Sequence, residues 1–210
     1  MIVDMHIHTM VSSPCSYLDP EECVMVALER KLDAICITEH EAIEGALVVR
    51  EIGKKLGLTV FAGVEVNARE GHMLVYGIEE DIRGVPSASE VLAIAAKAGG
   101  VAIPAHPWRG YFGWYSGTLE SELADTDFRI MFPIVEMYNG QCTPEQNRRG
   151  LEYCRDTGIY GIGGSDAHIA DQIGLAVTQF EDEFSTDKEL VAALLSGRYT
   201  AKLLSDFIES

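Results

Sequence analysis

The chain opens on residues 1–8, "MIVDMHIH", an apolar run that ends in two histidines one residue apart, with Asp4 just ahead of them. Side chains at i and i+2 of a strand project from the same face. A strand here therefore sets His6 and His8 side by side at its C-terminal end, as two imidazoles gripping one cation require. Whether such strands recur, each ending in side chains of this kind, decides the fold.

They do recur. Short runs rich in β-branched residues lie at 32–38, 58–67, 72–78, 100–107, 133–139, 160–167 and 175–180, and amphipathic stretches separate them. That alternation predicts repeated β-α units around a parallel sheet. Several helices carry explicit start signals. Asp19-Pro20-Glu21-Glu22 reads as an N-cap acid, a proline at the first helical position and a glutamate set to close a capping box. Thr143-Pro144-Glu145-Gln146 repeats the design, and Ser87 with Glu90 does the same before a helix that Gly99-Gly100 ends. Residues 108–127 are the least regular stretch and read as a long loop walling a pocket.

With 210 residues and no repeat or low-complexity linker, a single domain over 1–210 is expected. The N-terminus lacks a basic segment followed by an apolar one, and no apolar run is long enough to span a bilayer, so a cytoplasmic protein without membrane contact is expected. Cys15, Cys23, Cys36, Cys142 and Cys154 are scattered without CxxC spacing, which argues against a disulfide framework or a cysteine zinc site. The 33 acidic against 16 basic residues leave a net charge of −17, a surface that repels phosphate backbones and anionic lipid. Broad nucleic-acid binding is disfavoured.

Five of the six histidines, His6, His8, His40, His106 and His168, fall at or just beyond the C-terminal end of a predicted strand, and His72 begins one. In an α/β barrel those ends gather at one rim, so residues remote in sequence become neighbours. Glu65 and Asp166 occupy equivalent places. Imidazole nitrogen with carboxylate oxygen suits zinc, iron or manganese, whereas calcium takes oxygens alone.

The segments "DMHIHT", "ICITEHEAIEG", "GVEV", "GHMLVYG", "AHP", "VEMYN" and "GGSDAH" resemble, in order and spacing, the motifs of the PHP (polymerase and histidinol phosphatase) family, from Asp4 to His168, about four-fifths of the chain. The resemblance implies a distorted (β/α)7 barrel with two or three divalent metal ions, zinc, manganese or iron, at the C-terminal rim. By it, His6, His8, Glu65 and Asp166 hold the first ion. Glu65, bridging, joins His72 and His106 around the second, and His40 and His168 contribute to a third. Many relatives carry an Asp or His in the loop after the paired histidines, but Ser13 stands there in this chain. Cys15 and Asp19 are the nearby substitutes; Asp19 is read as the helix cap, and Cys15 as a ligand or a plain loop thiol.

The implied activity is metal-dependent hydrolysis of a phosphomonoester or small nucleotide. Two ions ~3.5 to 4 Å apart lower the pKa of a shared water from about 16 toward 7 and supply the hydroxide that attacks phosphorus. The alternatives are a phosphodiesterase or exonuclease on nucleic-acid ends and a non-catalytic metal-binding module. Arg109 and His168 are the candidate catalytic residues, Arg109 on the phosphate and His168 near the leaving oxygen. Arg148 and Arg149 are further candidates for the phosphate, with Arg149 assigned to a solvated helix face. Asp4, Glu39 and Glu41 are candidate partners that orient imidazoles; a helix-dipole role is the other reading of Glu41. Asn139 either touches substrate or caps a turn. Trp108, Tyr111, Phe112, Trp114 and Tyr115 either stack a base or fill a wall.

Overall fold

Nine strands and five α-helices make up the described residues, 1–110 and 131–204, of the computed structural model. In chain order these are β1 (Ile2–Ile7), α1 (Pro20–Glu29), β2 (Ala34–His40), α2 (Glu44–Leu56), β3 (Thr59–Ala68), β4 (Gly71–Tyr76), α3 (Ala88–Ala98) and β5 (Val101–Pro104). After the undescribed residues come β6 (Ile134–Asn139), α4 (Pro144–Thr157), β7 (Tyr160–Gly164), β8 (Ala176–Phe180), α5 (Asp187–Ser196) and β9 (Tyr199–Leu203). No helix among the described residues is long and apolar enough to cross a membrane.

The helices start where the sequence says. The Asp19 carboxylate caps α1 by accepting from the main-chain N–H groups of Glu21 and Glu22. Reciprocal capping boxes close at Ser87/Glu90 on α3 and Thr143/Gln146 on α4, and also at Thr186/Glu189 on α5, a signal the sequence reading passed over. Each such cap is worth ~1 kcal/mol. At α1 the Asp19 side chain serves alone, without the box expected from Glu22.

The strands follow one another round a distorted barrel. One sheet has the order β5-β4-β3-β2-β1-β8-β9, and β6 pairs with β7 in a second. The circle closes where β7 runs on beside β1: Ile7 and Ala167 form a parallel bridge, His8 N–H donates to Ala167 O at 2.9 Å, and Asp166 N–H donates to His6 O at 2.7 Å. No backbone ladder joins β5 to β6. The expected all-parallel sheet needs correction. Within β1–β7, β4 runs against both its neighbours, and outside the circle β8 runs against β1 and β9 against β8. The physical reason is visible in the connection: two residues, Arg69 and Glu70, separate β3 from β4, and a parallel crossover needs a dozen or more.

Period-2 alternation sorts the barrel's side chains. Cys36, Phe61, Leu74, Tyr76, Ile103, Ile134 and Ile162 pack together inside with Leu190 and Leu194 of α5. Ile35, Ile37, Val64 and Val75 face outward onto Val24 of α1, Val49 of α2 and Val91 of α3. Fully burying one such side chain contributes ~1.5 to 3 kcal/mol. Tyr76 satisfies its hydroxyl on Met5 O at 2.6 Å. On β1 the alternation breaks: Val3 and Met5 point inward, yet Ile7 points outward with its neighbour Ile37. The register explains it, because Asp4 pairs with Ile35 and Ile7 with Ile37, one residue more on β1 than on β2. This bulge rephases the strand.

Candidate metal centre

Continuing the inner face of each strand toward its C-terminal end leads from apolar residues to the predicted ligands. His40 follows Cys36 on β2, and Glu65 follows Phe61 on β3, with the two directly adjacent in register. His72 precedes Leu74 on β4 and stands at the same rim because β4 is reversed, so its first residues lie beside the last residues of β3. His6 and His8 reach the inner face through the β1 bulge. His106, Asp166 and His168 come from the loops after β5 and β7. His106 and Asp166 hold positive φ of 29° and 53°. Such backbone costs of order 1–3 kcal/mol in non-glycine residues and clusters at functional sites.

All eight predicted ligands converge. Their donor atoms fall into three groups, His6/His8/Asp166, Glu65/His72/His106 and His8/His40/His168, each with donors within 4.8 Å of one another. Glu65 links the groups. Its Oε1 lies 3.0 Å from His72 Nδ1 and 2.9 Å from His106 Nε2, while its Oε2 lies 3.2 Å from His8 Nε2, 3.2 Å from His40 Nδ1 and 3.6 Å from His6 Nε2. Asp166 Oδ1 approaches His6 and His8 at 3.5 and 3.4 Å.

The chemistry of this donor set fits divalent cations. A carboxylate offers about four lone-pair sites, and five imidazole nitrogens crowd Glu65. His6 Nδ1 is 2.9 Å from Glu136 Oε1, which only accepts, so that ring spends its Nδ1 proton outside the cluster, and His8 Nδ1 is 3.2 Å from Ser13 Oγ. Were both rings neutral with the proton on Nδ1, their Nε2 atoms would meet lone pair to lone pair at 2.9 Å, a contact that a proton or a shared cation between them relieves. His168 donates Nδ1–H to its neighbour Asp166's main-chain oxygen at 2.9 Å and likewise keeps Nε2 free. His106 Nδ1 is buried without a hydrogen-bond partner among the described residues. Nitrogen and carboxylate donors in this mixture suit zinc, manganese or iron.

In the metal-free protein the cluster polarises itself. Burial opposes charge on His6, but Asp166, Glu136 and Glu65 outweigh it and hold its pKa well above the ordinary histidine value. His8 is raised in the same way, against burial, by Asp166 and Glu65. Burial would raise Glu65 and Asp166, yet the imidazoles around them hold both below the usual carboxylate range. Burial brings His40 down to about 4 and, with His8 beside it, lowers His168. His6 and His8 are wholly buried, whereas the His40 and His168 side chains keep 33% and 23% exposure and so mark the mouth of the site.

The other expectations divide. Arg109 does reach the site, where its guanidinium pairs with Asp166 Oδ2. Arg148 and Arg149 do not; both lie on the exposed face of α4 against Glu145. Asp19 is the helix cap, and Cys15 is exposed and belongs to none of the three donor groups. Asp4 orients no imidazole: it accepts main-chain N–H groups from His6, Ser165 and Gly174, tying β1 to the β7–β8 connection, and burial pushes its pKa up to about 6. Glu41 lies three residues ahead of α2, and its main-chain N–H donates to Glu65 O at 2.9 Å. Asn139 caps the turn, its Oδ1 accepting from Gln141 N–H, and its Nδ2 also donates to Glu136 Oε2 at 3.1 Å. Trp108 packs on Tyr153, with ring centroids 5.5 Å apart, which is the wall-filling role. Tyr111, Phe112, Trp114 and Tyr115 lie outside the described residues.

One residue of the site went unread in the sequence. Glu136, wholly buried, accepts from His6 Nδ1–H at 2.9 Å and His106 N–H at 2.7 Å, so a single β6 side chain ties β1 and the end of β5 together across the unladdered gap. The signal was there: an acid two residues after Ile134, on the inner face of an otherwise apolar strand.

Comparisons with known proteins bear on the same residues. Residues 4–139 match the family model of the PHP domain, and residues 144–199 match the model described as PHP-associated. The chain is 30% identical over 148 residues to an uncharacterized protein of Methanocaldococcus jannaschii, covering 66% of this chain and 82% of that one. It is 33% identical over 86 residues to a phosphoribosyl 1,2-cyclic phosphate 1,2-diphosphodiesterase of Eggerthella lenta, a match spanning 38% of this chain and 32% of that protein. In fold it superposes with a TM-score of 0.78 on a two-domain protein of Bacteroides vulgatus containing a predicted PHP-like metal-dependent phosphoesterase, at 20% identity, over 97% of this chain and 64% of that one. The family match begins at Asp4, takes in the rim histidines of β1, β2, β4 and the β5 loop, and ends at Asn139 on β6: the chain belongs to the PHP domain family.

Proposed function

We propose that this protein is a metal-dependent phosphoesterase that hydrolyses a small phosphomonoester. The observation that carries the reading is Glu65, whose two oxygens face separate sets of imidazoles, as a carboxylate bridging two cations does. The ligands would be His6, His8 and Asp166 for one ion, Glu65, His72 and His106 for the next, and His40 and His168, which lie beside His8, for a third. Bound there, divalent ions supply positive charge for phosphoryl oxygens and an activated water.

The chain's own side chains complete the site. Arg109, three residues past His106, offers a planar fork that matches phosphate oxygens and stands, partly exposed, against the buried Asp166 carboxylate. Where the third ion is absent, His168, partly exposed with Nδ1 committed to Asp166 O and Nε2 uncommitted, is the candidate to steady the leaving oxygen. The buried positions of His6, His8 and Glu136 keep water from competing for the inner donors.

A second reading, a phosphodiesterase, has the Eggerthella lenta relative in its favour. The −17 charge weighs against long polynucleotide substrates in either case. Elemental analysis of protein purified without chelator, paired with phosphate release from sugar phosphates, nucleotides and histidinol phosphate, tests the proposal. Bound transition metal with phosphate release from a monoester supports it. Turnover of cyclic or linear diesters alone moves the assignment to the second reading, and stoichiometric metal with no hydrolysis of any ester leaves a non-catalytic module.

A further inference from the structure

Behind His8 stands a buried hydroxyl. Ser13 Oγ lies 3.2 Å from His8 Nδ1 and 3.2 Å from the main-chain nitrogen of His40, and it donates a hydrogen bond to Glu39 Oε2. Glu39 belongs to the outward set of β2 side chains, and its carboxylate is buried as well. Its other oxygen accepts from Thr9 Oγ1, and the Thr9 N–H approaches both oxygens at 3.2 and 3.1 Å. Thr9 Oγ1 in turn accepts from Val11 N–H at 3.4 Å, leaving its own proton for Glu39. Space is made for this carboxylate: a Cβ on Gly45, at the start of α2, would lie 2.6 Å from Glu39 Cγ and 2.8 Å from Cδ.

Counting protons fixes the direction of the chain of bonds. A serine hydroxyl has one proton and two lone pairs, and a carboxylate only accepts. The Ser13 proton therefore goes to Glu39. The His40 N–H can only donate, so it takes one lone pair, and the remaining lone pair faces His8 Nδ1. We infer that Ser13 and Glu39 are positioning residues that hold His8 with its proton on Nδ1 and its Nε2 lone pair turned into the donor cluster. The carboxylate thus acts on the imidazole through an interposed hydroxyl, which leaves His8 free of a directly adjacent charge on its outer side. The assignment rests on the cation reading of the cluster only for its consequence, tighter metal binding, and the test separates the two.

The tautomer is read by 15N-edited NMR of the imidazole nitrogens in metal-free protein at alkaline pH, where the rings are neutral. The wild type is expected to carry the His8 proton on Nδ1. Glu39→Gln presents an amide N–H to Ser13, turns the Ser13 proton toward His8 and moves the ring proton to Nε2; Ser13→Thr keeps the hydroxyl and the wild-type pattern. Zinc affinity, measured by competition with a chelator, falls about 10- to 100-fold in Glu39→Gln and in Ser13→Ala, the range seen when the partner of a liganding histidine is lost, and returns in Ser13→Thr. A wild-type His8 protonated on Nε2 overturns the inference without any variant, and so does a tautomer that folded Glu39→Gln leaves in place. An Nδ1-protonated His8 in a wild type that binds no zinc upholds the relay and defeats the cation reading instead.

Discussion

Replacing Glu136 by glutamine isolates what one buried carboxylate does for the metal centre. Oε2 accepts two donors that cannot reverse, the His106 main-chain N–H at 2.7 Å and the Asn139 amide at 3.1 Å, while Oε1 accepts only from His6 Nδ1 at 2.9 Å. The amide oxygen of Glu136→Gln must take the first place, which turns its NH2 onto His6. A ring nitrogen facing a donor has to accept, so the His6 proton moves to Nε2 and blocks the lone pair aimed at His8. The shape of the site is kept and one ligand nitrogen is withdrawn. Losing a partner of this kind costs about 10- to 100-fold in metal affinity, or roughly 1.4 to 2.7 kcal/mol. The assay is zinc titration of metal-free wild type and variant against a competing chelator, with thermal unfolding of the metal-free proteins as control. A variant that folds normally and binds zinc within twofold of wild type would refute the reasoning, because the position of the His6 proton would then be irrelevant to the site.

Asp166→Asn keeps a residue tolerant of the positive φ at that position but removes the charge facing His6 and His8; bound metal drops on the order of a hundredfold or more and phosphate release falls to background, with the circular dichroism of the folded chain unchanged. Cys15→Ser leaves metal content and activity as they are, since Cys15 lies outside the three donor groups; a lost ion in elemental analysis would make it a ligand after all. In the metal-free protein, the raised His6 and His8 contribute stability that is complete below their ordinary value of 6.5 and fades as pH rises through their folded values. Asp4, raised to about 6, acts with the same sign. The lowered Glu65 and Asp166 contribute stability present above their ordinary values of 4.5 and 3.8 and lost as pH falls through their folded ones. The melting temperature of metal-free protein is therefore expected to peak in weak acid, between those values, and to decline toward alkaline pH; a peak at alkaline pH would contradict the assignment.

The sequence displayed the rim histidines and acids more plainly than the strand directions. His6, His8, His40, Glu65, His72, His106, Asp166 and His168 could be picked out because each sits at a strand boundary, and the capped helix starts at Asp19, Ser87 and Thr143 are written in local chemistry that acts within one turn. Pairing direction is different. A strand buried on both faces reads as a continuous apolar run whichever way it points, so β4 looked like its neighbours even though the two-residue link after Ala68 excluded a crossover. β9, short and with an exposed threonine at Thr200, fell below the apolar signal. Glu136 was missed for a further reason: the histidine it acts on lies 130 residues away, and that partner is not visible from its own neighbourhood. The network that orders the imidazoles is a property of tertiary contact.

The extra residue in β1 has a consequence for how this chain tolerates change. Because Val3 and Met5 fill the interior ahead of the bulge and His6 and His8 enter it afterwards, the strand satisfies two demands of opposite parity within six residues. Substitutions at Val3 and Met5 alter packing by degrees. Deleting one residue between Asp4 and Ile7 instead forces a choice, since a regular ladder can turn either the hydrophobic pair or the imidazole pair inward but not both. The N-terminal strand is thus permissive at its apolar positions and intolerant in length.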